Sequence, residues 1–254
     1  MDATLGNTQP APHVVQQSRQ VHTITDRFSL ANTYLINDRR IVIVDPASEL
    51  NVRLLLEYME CFLHRNAAEI DLIVLTHLHA DHTAGVEALR KRCNVPVAAS
   101  AMARQLGQPG GQSNKSLPGI THLAEQVQNQ SALPGVLHHL DLFPPNYANQ
   151  VRMVDTWLDD VAGLPQHLDW RVIASPGHTP ESLCLYNPFT YELLCGDTVI
   201  TVEGGAPLVR GATDRRKLED TLRVLRSLEV YYLYPGHGRP ILARRPLSNT
   251  SVEW

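Results

Sequence analysis

Two textures of hydrophobic spacing alternate along the chain. Val21–Thr25, Thr33–Ile36 and Arg40–Asp45 are rich in β-branched and aromatic residues, which predicts short strands. Asn37-Asp38 between the last two is turn chemistry and predicts a hairpin. From Glu49 to His64 the period lengthens. Val52, Leu55, Leu56, Met59, Phe62 and Leu63 recur at helical spacing and share one face. Asp71–Thr76 is a continuous apolar run, as expected of a strand covered on both faces. A second helix is expected from near Thr83, with Val86 and Leu89 inward, followed by a strand at Val95–Ala98.

From 100 to about 149 the texture changes to Gln, Gly, Pro and Asn, which reads as an insertion with a helix at Gly119–Gln130. Strand texture resumes at Gln150–Leu158, Trp170–Ser175, Ser182–Tyr186 and Tyr191–Cys195, with a tight turn at Asn187-Pro188-Phe189-Thr190. Asp214–Leu228 is an amphipathic helix with Leu218, Leu222, Leu225 and Leu228 inward and Thr213 or Asp214 as cap. Val230–Tyr234 is the last strand. Two similar halves, with helices outside two sheets, suit this order. The expected organisation is a flexible lead-in over 1–18 and a single α/β domain over 19–254.

Composition narrows the classes. With 254 residues, 43% apolar, the chain can bury a substantial core. A net charge of -4 supplies no basic surface for nucleic acid or an anionic membrane. No run reaches the length of a membrane span, and the N-terminus lacks the pattern of a secretion signal, so the expectation is a cytoplasmic protein. Cys61, Cys93, Cys184 and Cys195 form no CxxC pair and sit among apolar neighbours. They are expected to be reduced core thiols.

The chemistry gathers where strands end. Thr76-His77-Leu78-His79-Ala80-Asp81-His82 places three imidazoles and a carboxylate in six residues. Alternate residues His77 and His79 can point the same way. Imidazole nitrogen and carboxylate oxygen suit zinc and similar ions. The economical reading is one ion on His77 and His79 and a second on Asp81 and His82. Three further strand-end loops each offer one ligand type: Ser175-Pro176-Gly177-His178, Cys195-Gly196-Asp197-Thr198 and Tyr234-Pro235-Gly236-His237-Gly238. A lone histidine after a strand is more often structural, but four such loops form a joint signal.

These motifs resemble the metallo-β-lactamase-fold superfamily over roughly residues 20 to 245. THLHADH looks like its HxHxDH loop, SPGHTPES its PGHTPG loop, GDT its GD turn and PGHG its final histidine loop. The resemblance implies a four-layer αββα sandwich with the site at the sheet edge. It implies one ion on His77, His79 and His178, a second on Asp81, His82 and His237, and Asp197 bridging both. The ions would be two divalent metals, zinc first, with iron and manganese as alternatives. A bridging aspartate is the pattern of glyoxalase II-type thioesterases, acyl-homoserine lactonases and nuclease branches. In antibiotic-degrading branches a cysteine or no bridging ligand usually stands there. Glu181 departs from the glycine that glyoxalase-like members often carry.

The expected reaction is hydrolysis of an ester-like bond, a thioester or lactone, in a small molecule by a metal-bridged hydroxide. Asp81 would orient the hydroxide as well as bind metal, or bind metal alone. Alternatives are a phosphodiesterase or nuclease, a mononuclear iron enzyme resembling persulfide dioxygenases, a β-lactamase, and a non-enzymatic metal-binding protein. Thr76, Thr179 and Asp45 are candidate supports for the ligands. His22, His138, His139 and His167 read as surface or structural. Phe143, Pro144, Pro145 and Tyr147 are candidates for a pocket wall or a homodimer contact.

Overall fold

A computed structural model describes residues 20–25, 31–109, 145–201 and 205–253. Two six-stranded sheets stack face to face. The first runs in the order β1 (Val21–Thr25), β2 (Asn32–Asn37), β3 (Ile41–Val44), β4 (Ile70–Val74), β5 (Val97–Ser100) and β6 (Thr156–Leu158). Its first three strands form an antiparallel meander, and β3 to β6 are parallel. The second sheet contains β7 (Gly163–Leu164), β8 (His167–Ala174), β9 (Leu183–Asn187), β10 (Glu192–Gly196), β13 (Tyr232–Pro235) and β14 (Ile241–Leu242), with β13 between β10 and β14. A small third sheet joins β11 (Ile200–Thr201), β12 (Pro207–Arg210) and β15 (Ser251–Glu253). Sequence texture missed it because its strands run only two to four residues.

Parallel neighbours need crossovers, and helices supply them. Helix α1 (Glu49–Cys61) joins β3 to β4. Its N-cap Ser48 accepts from the Asn51 N–H. The short α2 (Ala80–Thr83) and then α3 (Val86–Cys93) join β4 to β5. Helix α4 (Ala101–Leu106) follows β5, α5 (Tyr147–Gln150) precedes β6, and α6 (Arg215–Ser227) precedes β13. Asp214 caps α6 by accepting from the Lys217 N–H.

Strand alternation sorts the core into three layers. Leu183, Leu185 and Leu194 pack between the sheets with Val42, Val44, Val74, Trp170 and Val172. Their neighbours Cys184, Tyr186, Leu193 and Cys195 face outward, against Leu218, Leu222 and Leu225 of α6. On the other side, Leu35, Ile41, Ile43 and Ile73 meet Val52, Leu55 and Met59 of α1 and Val86 and Leu89 of α3. The layers are therefore helix, sheet, sheet, helix, as the resemblance implied.

Two expectations are corrected. Gln150–Leu158 is not one strand: Gln150 closes α5, Val151–Met153 is a 3-10 turn, and only Thr156–Leu158 pairs, alongside β5. Within the stretch from 100 to 149, Ala103 and Tyr147 are buried beneath the first helical layer. Cys61 is not a core thiol. It lies exposed at the end of α1, while Cys184 and Cys195 are buried, and all four thiols are free. The lead-in over 1–18, the helix at Gly119–Gln130, Phe143, Pro144, His138 and His139 lie outside the described residues.

Candidate metal centre

The topology brings one end of five strands to one edge. β3 and β4 are parallel. β8 and β10 both run antiparallel to β9, and β10 runs parallel to β13. Their carboxyl ends deliver Asp45, the 76–82 loop, His178, Asp197 and His237 in turn. The Leu183 N–H donates to the Thr76 carbonyl at 2.9 Å and ties the sheets together there.

All seven expected residues converge, and all are buried. His77, His79, His178 and Asp197 offer ligand atoms within 4.8 Å of one another, and so do Asp81, His82 and His237. His79 Nδ1 lies 3.0 Å from His77 Nε2 and 3.2 Å from His178 Nε2. Ligand edges of a tetrahedral zinc site are about 3.3 Å for zinc–nitrogen distances of about 2.0 Å. Asp197 lies between the groups: Oδ1 is 3.3 Å from His82 Nε2, and Oδ2 is 3.4 Å from His237 Nε2 and 3.7 Å from His178 Nε2. His237 Nε2 is 3.2 Å from Asp81 Oδ2.

The neighbours of the histidines fix their tautomers. His178 Nδ1 lies 3.1 Å from the Gly211 carbonyl, which can only accept. His82 Nδ1 lies 2.9 Å from Asp45 Oδ2. Thr76 Oγ1 donates to Asp45 Oδ2 at 2.6 Å and so accepts from His77 Nδ1 at 3.1 Å. In each ring Nδ1 carries the hydrogen, and the Nε2 lone pair turns into the centre. No hydrogen bond reaches Asp197 Oδ1 or Oδ2, Asp81 Oδ1 or His82 Nε2 among the described residues. Buried acceptors left unsatisfied cost free energy unless a cation meets them. The donor set fits two divalent ions. A third grouping, Asp45 with His77 and His82, is geometrically close. Asp45 already accepts from the Thr76 N–H, the Thr76 hydroxyl and His82, so it orients rather than ligates.

Electrostatics divides the two groups. Burial, reinforced by the neighbouring histidines, holds His77 well below the ordinary histidine value and lowers His79 to about 3. For His82 and His237 burial acts in the same direction, but Asp197 and Asp81 outweigh it and hold both well above that value. Asp197 is held well below the usual carboxylate range, because His237 and His82 outweigh its burial.

The backbone is shaped to this purpose. Gly196 has φ of 49°, and a Cβ there would meet Thr76 Oγ1 at 2.5 Å. A Cβ on Gly236 would fall within the radius of Asp197 Oδ1 and 2.8 Å from His82 Cε1. Asn32, which the sequence did not single out, holds the turn carrying His237: its Nδ2 donates to the carbonyls of Pro235 at 2.9 Å and Gly238 at 2.7 Å. Of the expected supports, Asp45 and Thr76 serve the ligands. Thr179 does not bond His178; its N–H and hydroxyl engage Ser182 Oγ, closing its own turn. His22 pairs with the Tyr58 hydroxyl, and His167 is buried beside Asp38 at the end of β8 opposite the one that leads to His178. Glu181 is buried, accepting from the Leu78 N–H and the Tyr147 hydroxyl.

Known proteins resemble this chain. The chain is 24% identical over 190 residues to "Probable metallo-hydrolase YflN" of Bacillus subtilis, covering 69% of this chain and 67% of that one. It is 25% identical over 218 residues to a hydroxyacylglutathione hydrolase of Hydrogenovibrio crunogenus, covering 85% of this chain but only 60% of that protein. Among solved structures, the BLEG-1 B3 metallo-beta-lactamase superposes with a TM-score of 0.59 at 19% identity, over 87% of this chain and 93% of that one. TTHA1623, solved in a di-iron-bound form, gives 0.54 at 23% identity, over 84% and 89%. Likeness at such identities concerns the fold. The family's sequence profile matches residues 26–237, ending on the last histidine of the centre. By that match, spanning most of its length, the chain belongs to the metallo-beta-lactamase superfamily.

Proposed function

We propose that the chain is a dinuclear metallo-hydrolase acting on an ester-like bond, a thioester or lactone, of a small molecule. One observation carries the reading: Asp197 is buried between two groups of ligand atoms, with both oxygens open to a cation. Divalent ions bound there would lower the pKa of water toward neutrality and polarise a carbonyl oxygen. His77, His79 and His178 would hold one ion, Asp81, His82 and His237 the other, and Asp197 both.

The chain's own residues do the rest. Asp45 and Thr76 keep His77 and His82 in the ligating tautomer. Asp81 Oδ1 has no hydrogen-bond partner among the described residues, so it can accept a proton from water and orient it toward the substrate. A thiolate leaving group needs little protonation, which favours thioesters over amides. The hydroxyacylglutathione hydrolases among the relatives support a thioester, and YflN supports hydrolysis in general. Zinc is the first choice of metal, and the di-iron form of TTHA1623 makes iron the second. The test is elemental analysis of protein purified without added metal, then a thioester and lactone panel on the same sample. Two ions per chain with turnover of either class is the expected result. A fully loaded protein that cleaves neither overturns it.

A further inference from the structure

Glu181 is the one place where the histidine loops depart from the motif they resemble, and the structure gives that side chain an unusual setting. Its carboxylate is buried, and no cation pairs with it among the described residues. One oxygen, Oε1, accepts from the Leu78 N–H at 3.2 Å. The other, Oε2, accepts from the Tyr147 hydroxyl at 2.5 Å. Leu78 stands between His77 and His79, and its side chain turns into the core beneath the first helical layer, where Tyr147 also lies. Burying a carboxylate away from cations is costly unless its hydrogen bonds are specific.

We propose that Glu181, braced by Tyr147, is a positioning residue that sets the angle between His77 and His79. The inference rests on the metal-site reading above. Clamping the amide between two ligands restrains the backbone torsions that aim both imidazoles, whose nitrogens lie 3.0 Å apart. A glycine at 181 would leave the Leu78 N–H without this acceptor. Because Tyr147 belongs to α5, the end of the 100–149 stretch is wired to the geometry of one ion and not the other. The affinity for the ion at His77, His79 and His178 therefore depends on a hydroxyl that touches none of them.

The experiment compares the parent with Glu181→Ala, Glu181→Gln and Tyr147→Phe. Each is titrated with zinc against a chelator, and the absorption of the cobalt-loaded forms is recorded. Expected is a fall of about tenfold in affinity for one ion in Glu181→Ala, the scale of losing a support behind a ligand. Its cobalt spectrum shifts, and affinity for the other ion is unchanged. Gln, which keeps an acceptor for Leu78, restores most of the loss. Tyr147→Phe keeps the ring packed and gives a smaller fall at the same ion. If Glu181→Ala does not fold, Tyr147→Phe decides: the fall supports the inference, and parental affinity with a parental spectrum overturns it. A parent that binds two ions, with variants that match it, overturns this inference alone. A parent that binds none overturns the metal reading as well.

Discussion

Asp45 Oδ2 lies 2.9 Å from His82 Nδ1, and the same oxygen receives the Thr76 hydroxyl that in turn receives His77. One buried carboxylate thus aims a histidine from each ion's set. Asp45 has φ of 50°, a conformation asparagine also tolerates. Asp45→Asn should therefore fold, yet it puts a donor where these neighbours need an acceptor. Zinc affinity is expected to drop roughly 10–100-fold at both ions. Chelator competition measures it, and affinity equal to the parent's would show that Asp45 does not orient the ligands.

The two ions should respond differently to pH. His82 and His237 keep their protons above the ordinary value of 6.5, because Asp197 and Asp81 favour their charged forms. A metal ion must displace those protons, so affinity for the ion at Asp81, His82 and His237 rises with pH through neutrality. The slope is about tenfold per pH unit for each proton released. His77 and His79 titrate far lower and are already neutral there, so they release no protons and the other ion's affinity rises less steeply. Zinc titrations at several pH values around neutrality separate the two. Equal slopes would contradict the assignment.

Gly236→Ala places a methyl group against Asp197 Oδ1 and His82 Cε1. Overpacking costs about 1–3 kcal/mol, and here the displaced atoms belong to two proposed ligands. Expected are fewer than two ions per chain by elemental analysis and activity below a tenth of the parent's. Full loading with parental activity would place the turn elsewhere.

Ligand removal should be felt by the whole molecule. At a thousandfold excess over its dissociation constant, an ion stabilises the fold by about 4 kcal/mol. That corresponds to ~10 °C in melting temperature for a chain of this size. Chelator treatment is expected to lower the melting point by that order. Asp197→Ala should reproduce much of the drop and lower activity by more than about 100-fold, the upper end for losing even an outer support. A melting point indifferent to chelator would mean that no ion stabilises the fold.

The cluster was legible in the sequence because residue types that suit metal ions advertise themselves: His77, His79, Asp81, His82, His178, Asp197 and His237 each follow a strand that the apolar pattern marks. Asp45 was legible from its place at a strand end. Asn32 was not, because its partners lie on the Pro235–Gly238 turn, about 200 residues away, and nothing local announces the contact. Glu181 stood out as a departure, but Tyr147 comes from a segment whose composition reads as an insertion. The strand expected over Gln150–Leu158 failed in its first half because Val151 belongs to a 3-10 turn and packs against the first core. Cys61 misled because apolar neighbours in a helix need not share its face: Met59 turns inward, whereas Phe62 is 71% exposed.

The parallel pairing of β10 with β13 has a consequence for biosynthesis. Asp197 and His237 become neighbours only once α6 has crossed over and β13 has docked beside β10. A ribosome releases His77 to His82 some 150 residues before His237, and until β13 inserts, the Gly236 N–H has no Gly196 carbonyl to meet. A chain broken off before Tyr232 carries most of the donors and none of the closure. Tight binding of a second ion there would report that β13 has docked and the second sheet has closed.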